Sequence, residues 1–119
     1  MKVTIYTLEN PIDNSIFYVG RTILPLKSRL KAHIKEIYDG AKSIKRDIIT
    51  NILDKKLTPI IEELEIIECK SVSDDIYCNK IELYWMNQLK SWGFNICNVN
   101  GNIRPTNTNN GLIKKYKLK

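Results

Sequence analysis

Val3, Ile5 and Thr7 alternate with Thr4, Tyr6 and Leu8, the two-residue period of a β-strand. Ile16 to Gly20 is a second β-branched and aromatic run, which also favours strand. Between them, Asn10-Pro11 and Asp13-Asn14 are turn formers, so the pattern predicts a hairpin. Closed about Ile12, that hairpin sets Tyr6 and Tyr18 opposite each other on one face. Gly20 then ends the second strand, where a missing Cβ admits a ligand or another backbone.

The period changes after Pro25, a residue suited to the first turn of a helix. Leu26, Leu30, Ile34 and Ile37 recur at helical spacing, and Gly40 is a natural stop. Arg29 and His33 lie one turn apart on a margin of that stripe, while Lys27, Lys31 and Lys35 project elsewhere. A second helix is expected from Ser43 to Lys56, burying Ile44, Ile48, Ile49, Ile52 and Leu53. Thr58-Pro59 interrupts it, and Ile60 to Cys69 reads as an acidic third strand. Ser73-Asp74-Asp75 is a helix start with a side-chain cap and acids that match the helix dipole. The third helix runs to about Trp92, stopped by Gly93, with Tyr77, Cys78, Ile81, Trp85, Leu89 and Trp92 inward and Glu82 at the margin. Phe94–Val99 is expected to be a short extended piece.

These elements predict an α/β domain of the α+β kind: a small three-stranded antiparallel sheet with an N-terminal hairpin, flanked by about three helices. Residues 1–100 would form the domain and 101–119 a polar loop and basic tail. A hydrophobic content of 43% suffices for one modest core. No apolar run approaches the roughly 20 residues of a membrane span, and no apolar leader precedes the first strand. The expectation is a soluble, cytoplasmic protein with access to DNA and no membrane partner. Cys69, Cys78 and Cys97 form no C-x-x-C pair and are expected as reduced, packed thiols.

Charge adds polarity to this picture. The net formal charge is +6, but residues 21–56 hold ten basic and four acidic side chains, residues 57–90 hold three and seven, and residues from 91 onward hold five basic and none acidic. Two basic blocks around an acidic one fit a face for polyphosphate. They fit solvated helix faces equally well. On the residues alone, Tyr6 and Tyr18 are also ordinary half-buried strand aromatics, Arg29 a solvated helix arginine, and His33 a satisfied histidine. Glu82 is then one acid among several, paired with Lys80 or Lys90.

The order Thr4-Ile5-Tyr6, Tyr18-Val19-Gly20, Arg29, His33, Glu82 with Trp85, and Asn95 within GFNICN resembles the GIY-YIG nuclease family over roughly residues 2–100. Each tripeptide alone is weak, whereas six elements in the family's order are specific. Thr4 stands where the family's first signature has glycine, a position where a small β-branched residue suits a strand. The resemblance implies a metal-dependent DNA endonuclease, a phosphodiester hydrolase. Its catalytic residues would be Tyr6, Tyr18, Arg29, His33 and Glu82, with Arg21, Lys27, Lys31 and Asn95 at the substrate. Glu82 would bind one Mg²⁺ or Mn²⁺, since a single carboxylate suits an ion that keeps most of its waters.

Tyr6 is then the candidate base for the attacking water, with Tyr18 sharing or positioning and the choice between them open. A free phenol has a pKa near 10, so about one in a thousand is ionised at pH 7. Arg29, Arg21 and a metal are expected to lower that value. His33 is a second candidate for proton handling, and Asn95 a brace. Family members include homing, restriction, repair and structure-specific nucleases. One site cuts one strand, so double-strand cleavage would call for a homodimer, a partner protein or successive nicks. The competing reading is a non-catalytic DNA-binding or interaction module on the same scaffold.

Overall fold

The computed structural model describes residues 2–39, 42–69 and 75–97. Six elements follow in order: β1 (Lys2–Asn10), β2 (Ser15–Thr22), α1 (Leu26–Glu36), α2 (Ile44–Asp54), β3 (Ile60–Glu68) and α3 (Asp75–Ser91). The strands form one antiparallel sheet in the order β2-β1-β3, which is the α+β architecture expected. Gly40, the Ser73 cap and the 101–119 tail lie outside the described residues.

β1 is the central strand, and its alternation builds two cores. Val3 and Ile5 pack with Ile67, Met86 and Leu89 on the α3 side. Tyr6 and Leu8 pack with Ile37, Ile49 and Ile52 on the side of α1 and α2. The sheet is thus covered on both faces, and β1 is apolar in both directions.

The hairpin turn is held by its own side chains. Asn10 Oδ1 accepts the Ile12 N–H at 2.9 Å, Asp13 Oδ1 accepts the Ser15 N–H at 2.9 Å, and Asn14 takes a φ of 60°. Such Asx turns are what these residue types favour. Register departs from the expectation. A bulge sets Glu9 against Ile16 but Leu8 against Tyr18, making Phe17 the extra residue on β2. Tyr6 therefore pairs with Gly20, and Tyr18 is its diagonal neighbour on the same face.

Gly20 also differs from its expected role, because β2 continues to Thr22 and no foreign ligand is needed to explain the glycine. A Cβ at Gly20 would stand 2.5 Å from Tyr6 Oη, 2.6 Å from Tyr6 Cζ and 2.9 Å from Tyr18 Cε2. The tyrosine rings occupy the space that a side chain would need.

The helices begin and end on local chemistry. Pro25 is the N-cap of α1, and Ser43 Oγ caps α2 by accepting the Arg46 N–H at 3.1 Å. Past α3, Gly93 takes a φ of 98° and its N–H reaches the Lys90 carbonyl, while Phe94 N–H reaches Leu89, a Schellman stop. Two stripes differ in detail from expectation. Ile44, in the first turn of α2, is exposed rather than buried, and Tyr77 is exposed while Met86 takes an inward place. The inward face of α3 centres on Cys78, Met86 and Leu89, and Tyr77 lies outside it. Residues 94–97 form no strand, although the Cys97 N–H donates to the bulged Phe17 carbonyl at 2.8 Å. Cys69 and Cys78 are buried thiols with sulfurs 2.8 Å apart.

Gly20→Ala forces the Tyr6 ring off its seat, so a loss of about 1–3 kcal/mol in unfolding free energy is expected. Denaturant titration of both proteins measures it. An unchanged midpoint would show that the rings yield at no cost.

Candidate active site

Tyr6 projects from the central strand into the core beneath α1 and is fully buried. A buried phenol needs hydrogen-bond partners, and two reach it. His33 Nε2 lies 2.6 Å from Tyr6 Oη, and Arg29 donates Nε–H to the same oxygen at 3.1 Å. Arg29 and His33 are one turn apart on α1, so a single helix face presents both nitrogens to one atom. His33 is itself fully buried and not at a margin. Its burial is explained by ring contacts, 5.8 Å to Tyr6 and 5.0 Å to Tyr18 between centroids, both edge-on.

Behind His33 stand two residues that sequence reasoning did not single out. Glu36 lies with its Oε1 3.5 Å from Arg29 Nη1. Lys45, from the first turn of α2, donates to Glu36 Oε2 at 2.9 Å. The same ammonium is 3.2 Å from His33 Nδ1 and 4.8 Å over the Tyr18 ring. Glu36 had a legible signal: it follows His33 by three and Arg29 by seven positions, on the same helix face. Lys45 had none, because only the packing of α2 brings it there.

Glu82 and Arg21 form a second group. Arg21 pairs across the hairpin with Ile5 and so shares the α3 face of the sheet. There its Nε lies 3.6 Å from Glu82 Oε1, both side chains partly exposed. One turn along α3, Trp85 donates Nε1–H to Glu65 on β3 at 2.8 Å. The two contacts tie α3 to both edge strands. The Tyr6 and Arg21 groups thus sit on opposite faces of β2, which is an edge strand, and the Glu82 charge is felt at both Tyr6 and Tyr18. Lys27 and Lys31 are exposed on α1, and Asn95 is exposed two residues before the Cys97 anchor.

The electrostatics correct one expectation. Burial raises the Tyr6 phenol well above its ordinary value, and the Arg29 hydrogen bond only partly offsets it. Tyr18 is raised too, again chiefly by burial. The penalty for a phenolate out of water exceeds what one guanidinium returns. His33 is pushed down to about 4 by burial, then by the positive charges of Lys45 and Arg29, against an opposing pull from Glu36. Burial works to raise Glu36, but its Lys45 hydrogen bond and the surrounding positive charge outweigh that and lower it. The ring is therefore neutral at pH 7.

A family model described as the GIY-YIG catalytic domain matches residues 2–95. The chain belongs to this family, a family of nucleases. No curated protein and no solved structure matches the chain. No helix among the described residues is long and apolar enough to cross a membrane.

The neutral, buried His33 makes stability depend on pH. Its value is about 4 folded against 6.5 for the free side chain, so unfolding takes up a proton between those limits. The contribution is complete above pH 6.5 and lost as pH falls towards 4, about 3 kcal/mol in all. Denaturant unfolding at a series of pH values should show stability falling from about pH 6.5 downward, above the range where carboxylates titrate. His33→Gln should flatten that segment. A wild-type profile flat to about pH 5 would contradict the buried neutral ring.

Proposed function

We propose that this chain is a metal-dependent DNA endonuclease that hydrolyses phosphodiester bonds. The observation that carries the reading is the convergence of Arg29 and His33 on one buried tyrosine oxygen, with a partly exposed carboxylate, Glu82, beyond the edge strand. Hydrolysis requires that an attacking water lose a proton, that charge on the phosphoryl oxygens be neutralised, and that the leaving 3′ oxygen be stabilised.

Tyr6 first passes its own proton to a water that enters with the DNA, and as the phenolate takes one proton from the attacking water. Arg29 spends Nε–H on that oxygen, and its planar fork carries further donors for the scissile phosphate. Tyr18, diagonal to Tyr6, positions the water. Arg21 meets a neighbouring phosphate, exchanging part of its hold on Glu82 for it. Lys27 and Lys31 are exposed on α1 and meet the DNA backbone, with Asn95 at the margin. The far edge, β3, exposes Glu62, Glu63, Glu65 and Glu68 and repels a phosphate chain, so DNA approaches from the side of β2 and α1.

Among the described residues no three His, Cys, Asp or Glu side chains form a metal cage. Glu82 alone fits Mg²⁺ or Mn²⁺, which takes one carboxylate and completes its shell with water and phosphate oxygens. When bound, such an ion supplies charge neutralisation at the phosphoryl and leaving oxygens. One site cuts one strand, and a second copy or a partner protein serves any double-strand cut. The substrate places the activity inside the cell, where DNA is.

Two variants test the reading. Glu82→Ala should abolish cleavage of duplex DNA in Mg²⁺. Tyr6→Phe should slow single-turnover cleavage by about 10²–10⁴-fold, with circular dichroism showing both chains folded. Tyr6→Phe at the wild-type rate would remove the phenol from the mechanism. DNA binding that weakens steeply with salt, with no cleavage by the wild-type chain in either metal, would instead favour a binding module.

A further inference from the structure

His33 has two ring nitrogens with different neighbours. Nε2 faces Tyr6 Oη at 2.6 Å, and Nδ1 faces Lys45 Nζ at 3.2 Å. A lysine ammonium has three donors and no acceptor. A neutral imidazole carries one proton, so a nitrogen that accepts from Lys45 leaves that proton on the other.

We propose that Lys45 is a positioning residue for the tyrosine: by donating to His33 Nδ1 it fixes the ring proton on Nε2, so that His33 and Arg29 both donate to Tyr6 Oη. The effect on cleavage rests on the nuclease reading above; the tautomer does not.

The alternative is built into the same cluster. Glu36 Oε2 lies 3.9 Å from His33 Nδ1, and a carboxylate beside an imidazole ordinarily draws the ring proton to the facing nitrogen. His33 Nε2 would then accept the Tyr6 hydroxyl. Lys45 prevents this by standing on both groups, 2.9 Å from Glu36 Oε2 as well as on Nδ1. Its position is set three ways: by Glu36, by the Tyr18 ring at 4.8 Å, and by the Ser43-capped first turn of α2. Charged and titratable groups face His33 from every neighbouring element: Tyr6 on β1, Tyr18 on β2, Arg29 and Glu36 on α1, and Lys45 on α2. Burial and the two cations hold the ring neutral, which keeps the tautomer meaningful at pH 7.

The consequence is chemical. With two N–H donors on its oxygen, Tyr6 has its own proton directed away from both His33 and Arg29. Loss of that proton to a water that enters with the substrate leaves a phenolate already holding two hydrogen bonds, which opposes the burial penalty. The phenolate takes one proton from the attacking water and is a phenol again. In this arrangement His33 steadies the base and does not receive its proton.

His33 is the single histidine of the chain, so long-range ¹H–¹⁵N correlation of the imidazole reads its tautomer without ambiguity. In ¹⁵N-labelled wild type at pH 7 the proton should sit on Nε2. Lys45→Met should move it to Nδ1, towards Glu36, and Lys45→Arg, which keeps a donor, should leave it on Nε2. Single-turnover cleavage should fall roughly 10- to 100-fold in Lys45→Met and recover in Lys45→Arg, the scale of a lost supporting contact. A wild-type proton on Nδ1, or an unmoved proton in a folded Lys45→Met chain, overturns the proposal. Should Lys45→Met fail to fold, the wild-type and Lys45→Arg spectra decide it. Absence of cleavage in wild type would overturn the nuclease reading and leave the tautomer result standing.

Discussion

A phenolic oxygen enclosed in the middle of a sheet cannot stay without partners, and the rest of this fold is arranged to supply them. Leaving such a group unsatisfied costs about 1–3 kcal/mol. Tyr6 avoids that cost by drawing Arg29 and His33 from α1 onto one atom. Those two groups in turn draw Glu36 and Lys45 into a closed set of polar contacts that also fastens α2. Gly20 has no side chain because the Tyr6 ring lies where one would be. Among the described residues no buried side-chain nitrogen or oxygen lacks a partner. Packing and polarity therefore agree on one position for Tyr6.

The sheet divides the polar groups between its faces. Residues that pair across the hairpin share a face, so Tyr6 with Gly20 turns towards α1, and Ile5 with Arg21 turns towards α3. Glu82 meets Arg21 there, and Trp85 fixes the far side of α3 on Glu65. Because β2 is an edge strand, the Tyr6 and Arg21 groups lie on either side of the sheet's border. The bulge at Phe17 lends its carbonyl to the Cys97 N–H, which holds the chain after α3 against that same strand.

Element types were legible because each carried its own period. Two-residue alternation marked β1, and Leu26, Leu30, Ile34 and Ile37 marked α1. The family signature, spread over residues 2–95, was legible as ordered motifs. What escaped was set by contacts between elements. The turn pairs Asn10 with Ser15, one step off a closure about Ile12, and the extra residue Phe17 adds a second step that sets Tyr6 against Gly20; nothing local in SIFYVG announces a bulge. Ile44 has the right spacing to be inward but lies in the first turn of α2, where the core does not reach. Lys45 enters the site only because α2 folds back on α1. The direction of the Tyr6 shift was also misjudged. Neighbouring cations are readable from the sequence, whereas complete burial is not, and burial dominates. Glu36 could have been found, being on the Arg29 and His33 face of α1.

The central claim is that this arrangement of tyrosine, arginine and carboxylate breaks DNA strands. Incubation of the purified chain with supercoiled plasmid tests it most directly, in Mg²⁺, in Mn²⁺ and in excess chelator. The account predicts conversion to open circles carrying 5′-phosphate ends in either metal, and none in chelator. Plasmid left supercoiled in both metals, or relaxed equally well in chelator, would contradict it.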